Sequence, residues 1–241
     1  MKKVIKSCIA CVACLSIFSS ETSGMFLKKD GTYNESNQIR SRSDILDGLK
    51  FKSEFLDDSS RIFHLGKVLS NNNCEITEDM LDDYRYENID VMIIPSNITE
   101  IGDRAFEEFQ YMQLVRLTSN IKTISYAAFA GCTNLSVIDI PNSVTYISGN
   151  AFEGCHSLKR VVLPINVTQI ENNTFFNCTS LKKVKILSNT IRICEEAFEE
   201  CAALETLLIN SSIVKIDENA FKNCKSLSCV SIHSDEWILI N

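Results

Sequence analysis

The chain has 241 residues with 45% hydrophobic and 23% charged side chains, a balance that excludes disorder throughout and supplies enough apolar material for a sizeable core. Its 24 Lys and Arg against 31 Asp and Glu give a net charge of -7, so the whole molecule repels polyanions and nucleic acid is not an expected partner. Three Pro, 8 Gly and 3 His leave little for Gly-rich phosphate loops, flexible linkers or histidine chemistry.

In chain order, Lys2, Lys3 and Lys6 precede an apolar run over residues 8–18, and the small residues Ser19, Ser20, Ser23 and Gly24 come after it. This is the layout of a secretory signal peptide, assigned to residues 1–24. The apolar run is short of the roughly 20 residues a membrane-spanning helix needs, so cleavage without membrane insertion is expected. Acylation of Cys8, Cys11 or Cys14 is the weaker alternative, because the leucine of a bacterial lipoprotein box is missing. Residues 25–73 obey no repeat. Ile45, Leu46, Leu49 and Phe55 among charges predict an amphipathic helix, residues 33–37 read as a loop and 71–73 as a turn, and the segment is expected to cap the region C-terminal to it.

That region is built from an internal repeat. From Asn97 the chain divides into NITEIGDRAFEEFQYMQLVRLTS, NIKTISYAAFAGCTNLSVIDIPN, SVTYISGNAFEGCHSLKRVVLPI, NVTQIENNTFFNCTSLKKVKILS, NTIRICEEAFEECAALETLLINS and SIVKIDENAFKNCKSLSCVSIHS, six blocks of 23 residues with no insertion or deletion through Ser234. Position 5 is always Ile and position 10 always Phe, from Phe106 to Phe221; position 16 is Leu except for Met112, and positions 19 and 21 are aliphatic. The alternation around 19 and 21 predicts a short strand with one buried face. Phe, Cys and Leu three residues apart predict a helical or 3-10 turn. Ordering 23 residues costs about 1–2 kcal/mol each, more than one block's buried side chains return, so a block folds only against its neighbours. The expected architecture is an α/β solenoid with one parallel β-sheet and short helical or 3-10 turns opposite it. Ile89, Met92 and Ile94 fit positions 16, 19 and 21 of a degenerate first repeat at 74–96, and residues 235–241, with Trp237 and Leu239, are assigned to a C-terminal cap.

The pattern L-x-x-V/I-x-I/L, a polar residue (Asn97, Asn120, Ser143, Asn166, Asn189, Ser212), then I/V-x-x-I-x-x-x-A-F-x-x-C-x-x-L resembles a leucine-rich repeat, specifically the 23-residue BspA-like subclass. Phe109 for Cys, Thr174 for Ala and Thr190 for an aliphatic residue depart from it. The resemblance implies adhesion or binding of host or matrix proteins at a cell surface.

Cys132, Cys155, Cys178, Cys201 and Cys224 recur every 23 residues. Five is odd and the column points inward, so the reading is buried free thiols acting as small hydrophobes. Cys74, Cys194 and Cys229 are less determined, Cys229 falling on an outward strand position. No cofactor, metal or catalytic group is assigned: His64, His156 and His233 are scattered, and Glu195, Glu196, Glu199 and Glu200 read as a solvated acidic face. The candidate surface is the outer face of the sheet. There Lys159, Arg160, Lys182, Lys183 and Lys185 gather in an otherwise acidic protein, and Arg160, Lys183, Lys185, Val162, Arg116 and Leu208 are the expected partner-binding residues. The expected function is a non-catalytic secreted or cell-surface binder of another protein or an anionic glycan. The alternatives are an intracellular scaffold or regulatory adaptor and, more remotely, a small hydrolase. Seven Asn-x-Ser/Thr sequons, Asn34, Asn134 and Asn166 among them, carry meaning only in a eukaryotic secretory pathway. Mass spectrometry of the mature protein is expected to find an N-terminus between Ser20 and Met25; retention of residues 1–24 would favour the intracellular reading.

Overall fold

The computed structural model describes residues 3–5, 61–65, 74–187, 190–209, 213–232 and 238–240, all within one compact unit. The expected helix around Ile45, the loop at 33–37, the turn at 71–73, His233 and Trp237 lie outside the described residues. The strands in chain order are β1 (Lys3–Ile5), β2 (Ile62–His64), β3 (Glu75–Ile76), β4 (Val91–Ile93), β5 (Glu100–Ile101), β6 (Leu114–Arg116), β7 (Thr123–Ile124), β8 (Val137–Asp139), β9 (Tyr146–Ile147), β10 (Arg160–Leu163), β11 (Gln169–Ile170), β12 (Lys183–Ile186), β13 (Thr190–Ile193), β14 (Thr206–Ile209), β15 (Ile213–Ile216), β16 (Cys229–Ile232) and β17 (Ile238–Ile240).

Positions 18 to 21 build sheet A, which runs β2-β4-β6-β8 and then β10-β12-β14-β16. All of its pairings are parallel, and from β4 onward each repeats the 23-residue offset, as in Val161 opposite Val184 and Val184 opposite Leu207. Positions 4 and 5, extended to positions 2 to 5 in β13 and β15, build sheet B, also parallel, in the ladders β3-β5-β7-β9 and β11-β13-β15. The expectation of one sheet is thereby corrected. A second strand forms because Ile at position 5 is buried while position 4 faces out, and two residues of that alternation suffice when the coils on either side supply the hydrogen bonds. Lys3–Ile5 pairs antiparallel with Ile238–Ile240.

The segment from Phe to Leu bears out the expectation of 3-10-type turns in part: it closes successive three-residue turns without becoming a continuous helix. The three-residue spacing does set hydrogen bonds, with the Cys132 amide donating to the Phe129 carbonyl at 3.3 Å and the Leu135 amide to Cys132 at 3.0 Å. Helix propagation is stopped by left-handed residues on either side of Phe: φ is 51° to 58° at position 8 and 57° to 70° at position 12 in all six blocks. Gly131, Gly154 and several Asn occupy these positions at low cost; Arg104, Ala127, Glu108, Glu196 and Glu200 accept the strain. Between and at these two left-handed positions every second amide, at positions 8, 10 and 12, is directed toward the next coil. Thus Ala127 donates to Gly149, Phe129 to Ala151 and Gly131 to Glu153, at 3.2, 2.8 and 2.8 Å. This third ladder continues across the place where sheet A has no pairing between β8 and β10.

The coils before Asn97 are longer. Ile76 pairs with Ile101, an offset of 25 residues, and Phe63 with Met92, an offset of 29, so the stretch assigned to the N-terminal cap contributes a strand to sheet A. Ile76, not Glu78, therefore takes the position-5 place. Two 3-10 turns, Glu78–Met80 and Asp82–Tyr84, carry the chain to Arg85. The Arg85 guanidinium donates to the Glu107 carbonyl at 2.6 Å and pairs with Glu78 and Asp82 at 3.1 and 2.9 Å. It holds a carbonyl at position 11, the position whose later members receive an amide from the preceding coil.

Inside, Phe106, Phe129, Phe152, Phe175, Phe198 and Phe221 stand in single file with centroids 5.2–5.4 Å apart and ring planes within 2–6°. Phe109, where Cys is usual, is buried and packs edge-on against Phe106. Thr174 is buried in place of Ala and its hydroxyl donates to the Glu171 carbonyl at 2.8 Å. Phe152, fully buried between two ring neighbours, is expected to cost about 3–5 kcal/mol on truncation to Ala, measured by denaturant unfolding, and Tyr126→Ala on the surface about 0.5 kcal/mol or less.

Candidate functional site

The outward side of sheet A is laid out by strand register. Arg160 lies opposite Lys183 and Lys183 opposite Thr206; Val162 lies opposite Lys185 and Lys185 opposite Leu208. Five of the six expected residues are thus brought together on β10, β12 and β14. Arg116 is not among them: it sits on β6, opposite Asp139 of β8, in the other ladder of the sheet. Arg116, Arg160, Val162, Lys183 and Lys185 are half-buried, and Leu208 is 7% exposed, so it offers little apolar contact area. Lys159, Lys183, Lys185 and Arg116 each make a further interaction within the chain. Lys182 pairs with Glu205 at 3.8 Å. Asp139 is exposed at the sheet face, yet the protein around it hinders solvation enough to push its carboxyl above the usual range. Like charges directly opposite on neighbouring strands are unfavourable for a sheet, so Arg160 beside Lys183 contributes field rather than stability.

The acidic group of the fifth block differs from expectation. Glu199 is buried, not solvated, and pairs with Lys222 at 2.7 Å, which raises the Lys222 pKa. Position 11 faces position 11 of the next coil, and the next coil places Lys222 there. His156 is exposed, with Asn177 Nδ2 at 3.3 Å from its Nε2. Among the described residues no group of three or more His, Cys, Asp or Glu is placed to hold a metal ion, and no helix is long and apolar enough to cross a membrane.

The cysteine column is buried as free thiols, with Cys224 half-buried at the last coil. Each thiol also does something composition alone does not reveal: Cys132, Cys155, Cys178, Cys201 and Cys224 donate to the carbonyls of Phe106, Phe129, Phe152, Phe175 and Phe198 at 3.0–3.2 Å. The signal was the Cys three residues after Phe in five of the six blocks, which a purely hydrophobic role would not demand. Burial raises the pKa of Cys132, Cys155 and Cys178; Cys201 is raised first by its contact with Cys178 and then by burial, and Cys224 is pushed up to about 12. These thiols are poor nucleophiles in the folded protein. Cys194 is buried with a raised pKa, Cys74 is exposed and Cys229 half-buried.

With stacked coils, two parallel sheets and a Phe file in view, the comparisons are consistent. A family model described as the BspA type leucine rich repeat region, in 6 copies, matches residues 81–189 and 147–236. The chain belongs to the BspA-type leucine-rich repeat family. A leucine-rich repeat protein from Bacteroides ovatus is similar at 25% identity, with a TM-score of 0.61 over 70% of this chain and 45% of its own. A leucine rich cell surface protein from Faecalibacterium prausnitzii is similar at 29% identity, with a TM-score of 0.60 over 74% and 48%. The pneumococcal vaccine antigen PcpA shares the fold at 21% identity and a TM-score of 0.53, over 62% and 40%. The chain spans about half the length of the first two of these. No curated protein matches the sequence. Leucine-rich-repeat solenoids of this family are typically non-enzymatic binding scaffolds, and its structural neighbours include a bacterial cell-surface protein.

The thiol shifts set a pH dependence. With folded pKa values above the ordinary 9.0, the unfolded chain loses thiol protons first, so stability is retained below pH 9 and falls as pH rises above it. Each fully buried thiol is expected to cost about 1.4 kcal/mol per pH unit in that window. Thermal unfolding from pH 7 to 11 checks this, with Cys155→Ala flattening the slope.

Proposed function

We propose that the chain is a non-catalytic binding protein that engages another protein or an anionic glycan through the outer face of sheet A, at a cell surface or after secretion. The observation that carries this reading is the register that sets Arg160, Lys183 and Lys185 on adjacent strands of a protein with net charge -7. A local positive field on an acidic molecule steers acidic partners to one face and repels them elsewhere. A rigid sheet loses little ordering entropy on binding. Val162 supplies apolar contact between the cations, and Arg116 extends the face beyond Asp139. The surface location is supported by the leader-like residues 1–24 and by the cell-surface neighbour from Faecalibacterium prausnitzii.

One observation favours the second reading, an intracellular scaffold or adaptor: all eight cysteines outside the leader are free thiols, the usual state in a reducing compartment. Against it, four of the five column thiols, Cys132, Cys155, Cys178 and Cys201, are buried in the core and so protected in either compartment. Reversal of Arg160, Lys183 and Lys185 to Glu is expected to weaken capture of an acidic partner strongly at low salt and less as salt rises, read by surface plasmon resonance against heparin and an acidic protein. Unchanged capture rejects sheet A as the binding face.

A further inference from the structure

Sheet B carries a second pattern, independent of the basic face. Its outward column, position 4 of each coil and the equivalent residue of the first, reads Glu75, Glu100, Thr123, Tyr146, Gln169, Arg192 and Lys215. Strand register sets Glu75 beside Glu100, Glu100 beside Thr123, Thr123 beside Tyr146, Gln169 beside Arg192 and Arg192 beside Lys215. Two carboxylates stand at one end, two cations at the other, and a tyrosine 46% exposed stands at the centre.

We propose that this column is a dimerisation surface for a second copy of the chain, the two molecules meeting sheet B to sheet B around a two-fold axis at Tyr146. That operation places Glu75 against Lys215 of the second copy, Glu100 against its Arg192, Thr123 against its Gln169, and Tyr146 against its own symmetry mate. An isologous contact must be self-complementary, and a row whose charge changes sign about its middle meets that condition only in the antiparallel arrangement. With the copies parallel, carboxylate would face carboxylate. The centre of the strip is aromatic and its ends charged, the usual division between an interface core and its rim.

The charged ends are held in place before any partner arrives. Asp217 binds Arg192 at 2.7 Å and Lys215 at 3.2 Å, yet the two cations keep 47% and 67% of their side-chain surface. Glu100 accepts the Ser125 hydroxyl at 2.8 Å. Ordering entropy on docking is correspondingly small. Asp217 also offsets part of the positive charge, and the strip is narrow, about 30 Å long for six strides of about 4.8 Å. Such a contact falls in the class burying less than about 1,200 Å² and is therefore weak. Its value lies in geometry: sheet A stays uncovered in both copies, so a dimer engages a repetitive partner twice.

Sedimentation equilibrium of the full chain at low salt tests this, up to about 1 mM, where even weak association registers. The wild type is expected to dimerise, and Glu75→Lys and Lys215→Glu each to weaken the dimer about tenfold or more, with the double reversal restoring it to within about threefold. Tyr146→Ala weakens it without altering charge, and far-UV circular dichroism confirms that every variant is folded. Reversal of Arg160, Lys183 and Lys185 leaves this dimer intact, which separates its failure from that of the binding face. A monomer at all concentrations, a dimer indifferent to the single reversals, or no recovery in the double variant overturns the proposal.

Discussion

The structure depends on one interlayer contact, repeated at every stride: a Phe ring stacked on the ring of the next coil, with the Phe carbonyl taken by the thiol of the following coil's Cys. Stacked rings 5.2–5.4 Å apart fix the pitch from within, and strands of a parallel sheet want a spacing of about 4.8 Å. The two are close enough for ring file and sheets to coexist, with offset rings taking up the difference. The carbonyl at position 10 is buried and would otherwise carry part of its acceptor capacity unmet. A residue small enough for the layer and still able to donate a hydrogen bond is what Cys supplies.

Much of this was legible because the repeat is unbroken. Ile at position 5 and Phe at position 10 in six registers leave no other way to bury both columns. What escaped was local. The second sheet rests on two residues per coil from β3 to β11, too few to give a period, and is made there by neighbours rather than by intrinsic preference. The turns read as helical because i,i+3 spacing is shared by a helix and by single three-residue turns bounded by left-handed residues at positions 8 and 12. Asn and Gly at positions 8 and 12 were the visible clue, blurred by Arg104, Glu108 and Glu196 in the same conformation.

The surface was legible in kind but not in detail. Lys183 and Arg160 share a face because strand alternation and a fixed period require it, and the sequence suffices for that. That Arg116 lies in a separate ladder, that Leu208 is nearly buried and that Glu199 is neutralised by Lys222 depend on neighbours one coil away. The same limit hid the sign change along sheet B: it becomes meaningful only once position 4 is known to be a strand facing outward.

The turn ladder has a direction. Amides at positions 10 and 12 of the first five coils, and at position 8 of the first four, donate to the coil after them, so their peptide dipoles add along the solenoid as they do along an α-helix. The early end is therefore electronegative and the late end electropositive at the backbone itself. A guanidinium, that of Arg85, closes the early end, which is the charge such a terminus attracts. Growth by adding coils is vectorial in consequence: a new layer at the late end has to offer carbonyls, whatever its side chains.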